Sequence, residues 1–221
     1  MKKNIMLTRV FALLYLVLNT TFTISAYCNI KYYSHPASSA FGKIFWLVVS
    51  QIAFVIYLFA FCKKKPEHVL LPISYILLLI HHSNSFIQSY ILNQDYFNNI
   101  TRYMTPSNFP AMFMNMILPC LYNLFIIGVT IFFIVICFTK FKKIRPARCM
   151  IIIYTSVSLL HYTYMLIRNI YQFNILSNTY MELDFFTGNL LGLLATATVY
   201  FHLISHFVLW MFVIQQKEAN A

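Results

Sequence analysis

Three histidines fall at one depth in three separate apolar segments. His81 lies twelve residues in from Val69, His161 twelve in from Cys149, and His202 twelve before Ile214. At about 1.5 Å of helix rise per residue, each is about 18 Å from the end of its segment. His206 follows His202 by one turn on the same face. Neutral imidazoles ligate haem iron, copper or zinc, and histidine is the side chain that most readily exchanges a proton near neutral pH. Two of these histidines head matched polar sets: His81, Asn84 and Gln88, and His161, Tyr164 and Arg168. Both follow i, i+3, i+7 spacing, which puts each set on one helix face. The candidate polar site is therefore His81, Asn84, His161, Tyr164, His202 and His206. His82 points away from His81 and is expected to be a lone hydrogen bonder. Polar groups inside a bilayer need a partner or a task. The plain reading is hydrogen bonding across a packed bundle, and the functional reading is a ligand or proton site. No cofactor is expected; haem or a metal on His81, His161 and His202 is the alternative.

The segments carrying these residues fix the chain's class. Six apolar runs, at 5–28, 44–62, 69–92, 111–138, 149–170 and 185–214, are each long enough to cross a ~30 Å hydrocarbon core, which takes ~20 residues. With 60% hydrophobic and only 10% charged residues over 221 positions, little polar surface is left for a water-facing globule. The reading is an all-α, polytopic transmembrane bundle forming a single membrane domain over 1–221, with no soluble domain. The net charge of +11 does not point to nucleic acid, because the basic residues cluster at helix ends beside anionic headgroups. With the N-terminus inside, Lys2, Lys3, Arg9, Lys63, Lys64, Lys65, Lys140, Lys142, Lys143, Arg145, Arg148 and Lys217 are cytosolic. Only Lys31, Lys43, Arg102 and Arg168 fall outside, so both termini are expected in the cytosol.

Other features follow from that orientation. Asn99-Ile100-Thr101 is a glycosylation sequon in an outer gap, which makes Asn99 the expected acceptor and suggests an endoplasmic reticulum or plasma membrane. Arg168, near the outer end of its span, is expected to pair with Glu182 or Asp184. Tyrosines crowd the outer boundary, Trp46 opens the second span there, and Trp210 is expected near the opposite interface. Pro119, inside the fourth run, should kink the helix and free a carbonyl near Asn115 and Tyr122. The five cysteines show no CxxC or zinc spacing. The first run also reads as a signal sequence ending near Ala26-Tyr27-Cys28, although its length favours a retained helix. A weak repeat at an offset of eighty residues pairs His81 with His161.

Six spans with several histidines resemble the cytochrome b561 architecture, which implies two His pairs holding two haems toward opposite faces. Here the histidines gather at one level, so a second haem has no ligands. His81-His82 is similar to the paired histidines of TLC lipid-handling domains. The Asp-containing motif that follows in that family has no counterpart, since the next acid, Asp95, lies in an outer gap. Walker loops, GxGxxG, GxSxG and HExxH are all missing, which leans away from enzymatic activity. The leading expectation is a small transport- or sensing-type bundle with a His-lined site near mid-membrane. A haem-binding redox protein is one alternative. Another is a non-catalytic accessory subunit that binds partner membrane helices.

Overall fold

The computed structural model describes residues 9–10, 12–21, 24, 37–60, 69–93, 98, 102, 105, 107, 109–139, 144–179 and 183–219. Among these the chain is almost entirely helical, without a strand. We number the helices α1 (Ala12–Thr21), α2 (Ala37–Ala60), α3 (Leu70–Phe86), α4 (Leu118–Phe138), α5 (Ile144–Thr179) and α6 (Leu183–Ala219). Four stretches are long and apolar enough to cross a membrane: Leu70–Ile91, Phe113–Phe138, Arg145–Tyr171 and Thr196–Gln215. The described apolar lengths of the first two helices, Ala12–Thr21 and Phe45–Ala60, are shorter.

Large apolar side chains face outward, among them Leu160, Leu92, Phe138 and Ile167, while Ser74, Thr130, Ser158, Thr198, Ser205 and His206 are buried. That distribution suits hydrocarbon as the surrounding solvent, because polar groups gain nothing by facing lipid tails. Several hydroxyls inside the helices are satisfied locally. Thr20 donates to the Leu16 carbonyl at 2.6 Å, Ser74 to Leu71 at 2.8 Å and Thr130 to Ile126 at 2.8 Å.

The two helix ends that flank residues 93–108 widen into π-helix, at Ile87–Ile91 after α3 and Phe113–Ile117 before α4. Pro119 sits in the first turn of α4, where its missing N–H is least costly. A π turn, Phe113–Ile117, lies directly ahead of it. Asn123 ties the two widened ends together, donating to the Pro119 carbonyl at 2.9 Å and to the Tyr90 hydroxyl at 3.0 Å.

α2 packs on α3, α3 on α4, and α5 along α6, whereas α4 and α5 meet only lightly. α1 is held between α2 and α6: Asn19 donates to Thr198 at 3.1 Å and accepts from Gln51 at 3.5 Å. The core joins all six helices through Ala12, Tyr57, Tyr75, Phe133, Ile151 and Trp210. Trp210 is fully buried, and its ring stacks on Phe133 at 4.7 Å, so it packs in the core.

Candidate functional site

The centre of the bundle is organised around His206. Tyr57 of α2 lies parallel to its ring at 5.6 Å, Tyr154 of α5 is tilted at 4.9 Å, and Phe133 of α4 meets it edge-on at 5.7 Å. From α3, the Tyr75 hydroxyl reaches His206 Nε2 at 3.1 Å. Trp210, one turn along α6, donates its Nε1–H to the same hydroxyl at 2.6 Å. Indole can only donate, so the Tyr75 oxygen accepts from Trp210 while facing His206. Five helices therefore meet at one imidazole.

Above this hub lies a cavity of about 300 Å³. His81 and His82 of α3 and His202 and His206 of α6 line it, with tyrosines from α1 through α5 and the hydroxyls of Ser50, Ser85 and Thr130. No Lys, Arg, Asp or Glu is among its described lining residues. His202 packs between Tyr15 at 4.9 Å and Phe54 at 5.0 Å. The His81 ring is 5.3 Å from that of His82 and 6.4 Å from Trp46. The Nδ1 atoms of His81, His202 and His206 are buried with no hydrogen-bond partner among the described residues.

The sequence-predicted residues divide between two places. His81, His202 and His206 share the central cavity, and Asn84 is half-buried on α3 outside its lining. His82, expected to point elsewhere, lines the cavity as well, because the space wraps far enough around α3 to take two adjacent side chains. His161 and Tyr164 belong to a different space, a cleft of about 430 Å³ between α4 and α5. His161 stacks face to face on Tyr122 at 3.7 Å and 8°. The Tyr164 hydroxyl reaches the Met114 carbonyl, in the π turn before α4, at 3.5 Å. The repeat-related pair His81 and His161 thus occupies unlike surroundings.

Arg168 is half-buried on α5, while Glu182 and the side chain of Asp184 lie outside the described residues, as does Asn99. Among the described residues, no three His, Cys, Asp or Glu side chains are grouped to hold a metal ion. Cys120 and Cys149 are free thiols.

Reasoning from the sequence misses the aromatic partners. Their signal is present on α6, where His202, His206 and Trp210 repeat every four residues and form a single stripe. Comparison with protein families, curated proteins and solved structures finds no match to this chain.

Proposed function

We propose that this chain is a six-span integral membrane protein that binds a small uncharged molecule in the central cavity, for transport or sensing. The cavity carries this reading: imidazoles and hydroxyls line a space of about 300 Å³ inside an otherwise apolar bundle. Polar groups at that depth are costly to keep unless they serve packing or binding, and a space of this size reaches the lower end of ligand pockets, roughly 300–1,000 Å³. The lining offers neutral donors, neutral acceptors and ring faces, with no counter-charge for an ion among its described residues. Moving an ion there without a partner is strongly unfavourable, so the favoured ligand is neutral, flat and capable of hydrogen bonding.

Native mass spectrometry of protein purified in mild detergent should find a small-molecule adduct. Ser50→Phe, which fills the cavity from α2, should remove it without lowering abundance. A Soret band on the purified protein would select the haem reading in its place. A polypeptide co-purifying in fixed ratio, with no adduct, would select the accessory role.

The proposed orientation puts both termini in the cytosol of an endoplasmic reticulum or plasma membrane. It rests on the twelve-to-four division of basic residues. In sealed vesicles with the cytosolic face outward, protease added from outside should cut within residues 63–68 and 139–148 and spare 93–110. Asn99→Gln should abolish a glycosidase-sensitive shift in gel mobility. Labelling that places Lys64 and Thr101 on one side of the membrane would refute the orientation.

A further inference from the structure

Tyr122 lines both the central cavity and the α4–α5 cleft, so one side chain separates the two spaces. On the cleft side its ring is covered by His161 at 3.7 Å. On its polar edge, the hydroxyl donates to Ser158 of α5 at 3.0 Å. The cleft runs out to the lipid-facing surface: Leu121 and Leu160, which line it, are 50% and 72% exposed. Its walls are apolar apart from the His161 and Tyr164 side chains and the Tyr122 ring, and no charged residue is among its described lining. It also follows the seam where α4 and α5 meet only lightly, since α4 is packed mainly on α3 and α5 on α6. The Tyr164 bond to the Met114 carbonyl joins the seam to a π turn, a local widening that often marks functional positions.

We propose that the α4–α5 cleft is a lateral portal through which a neutral, lipid-soluble, flat molecule passes from the bilayer to the central cavity, with Tyr122 and His161 as its gate. The proposal rests on the cavity reading above and adds the route and the ligand class. A passenger using this route must dissolve in hydrocarbon, which excludes ions. It must also carry a hydrogen-bonding group, because imidazoles and hydroxyls receive it inside. Opening needs a rotation of the Tyr122 ring, which breaks its bond to Ser158 and uncovers His161, while the backbones of α4 and α5 stay in place.

The full chain carrying Trp46→Phe and reconstituted in phosphatidylcholine vesicles leaves Trp210 as the single indole. Trp210 is fully buried beside the cavity residues Tyr75 and His206. The probe is 4-bromophenol, a neutral, flat, lipid-soluble molecule whose bromine quenches indole at short range. Quenching should saturate with probe concentration. Val157→Phe combined with Leu121→Phe, which narrows the cleft, should slow its onset about tenfold, a barrier higher by about 1.4 kcal/mol, and leave its final extent unchanged. Tyr122→Phe keeps the ring and removes the Ser158 bond, so it should speed the onset; this variant decides the matter alone if the narrowed cleft does not fold. Saturable quenching with the same onset in every variant would overturn the portal and leave the cavity reading standing. Quenching that never saturates in the parent protein would overturn both.

Discussion

Trp210→Ala should be the most destabilising single substitution in the described core, costing about 3–5 kcal/mol. The side chain is fully buried, stacks on Phe133 at 4.7 Å and donates to Tyr75 at 2.6 Å. In a bilayer the loss does not come from transfer out of water, since lipid tails are as apolar as the protein interior. It comes from the void left in a close-packed hub, whose walls then have no partner for dispersion attraction. Leu160→Ala, at a position 72% exposed on α5, removes an apolar side chain without opening an interior void and should stay within about 0.5 kcal/mol. Denaturation of the two variants in mixed micelles, followed by circular dichroism, gives the comparison. Equal losses would mean that the hub is not the packing centre.

Tyr75→Phe should cost about 2–4 kcal/mol despite a nearly unchanged shape, because it strands two buried groups at about 1–2 kcal/mol each. Trp210 Nε1–H loses its acceptor, and His206 Nε2 loses the hydroxyl 3.1 Å away. A double-mutant cycle tests this origin. When Trp210→Phe is already present, the donor is gone, and Tyr75→Phe strands only the imidazole. The two substitutions should therefore be less damaging together than their separate effects added, by about 0.5–3 kcal/mol. Strict additivity would show that the Tyr75 hydroxyl contributes nothing through Trp210.

The helices were legible because hydropathy and chain length are tightly coupled in a bilayer: the 69–92 and 111–138 runs lie within two residues of the apolar helical stretches Leu70–Ile91 and Phe113–Phe138. The helical class follows from the same requirement, that backbone groups in lipid be bonded within the segment. Where polar residues end an apolar run but the backbone continues as helix, hydropathy stops short. α5 continues to Thr179, past the run's end at 170, through Gln172, Asn174 and Ser177. Of the candidate residues, His81, His202 and His206 line one cavity, but the sequence does not give azimuth. His161 shares its spacing pattern with His81, yet α5 carries apolar residues on all sides, so periodicity cannot say which face turns inward. Its packing on α6 decides that, and His161 is left facing the α4–α5 cleft. His82 was misplaced for a related reason, since a side-chain direction says nothing of how wide the neighbouring space is. The His206–Tyr75–Trp210 chain joins residues more than 130 positions apart, and a single sequence carries no signal for that contact.

The cavity's uncharged lining also has an electrical consequence. An elementary charge crossing a membrane gains or loses about 2.3 kcal/mol for each 100 mV of potential. A neutral occupant among imidazoles, phenols and hydroxyls carries no such term, and the described lining contributes no fixed charge that would move with it. On the proposal above, occupancy of the site would follow the concentration of the molecule in the surrounding membrane. A change in the potential across that membrane would leave it where it was.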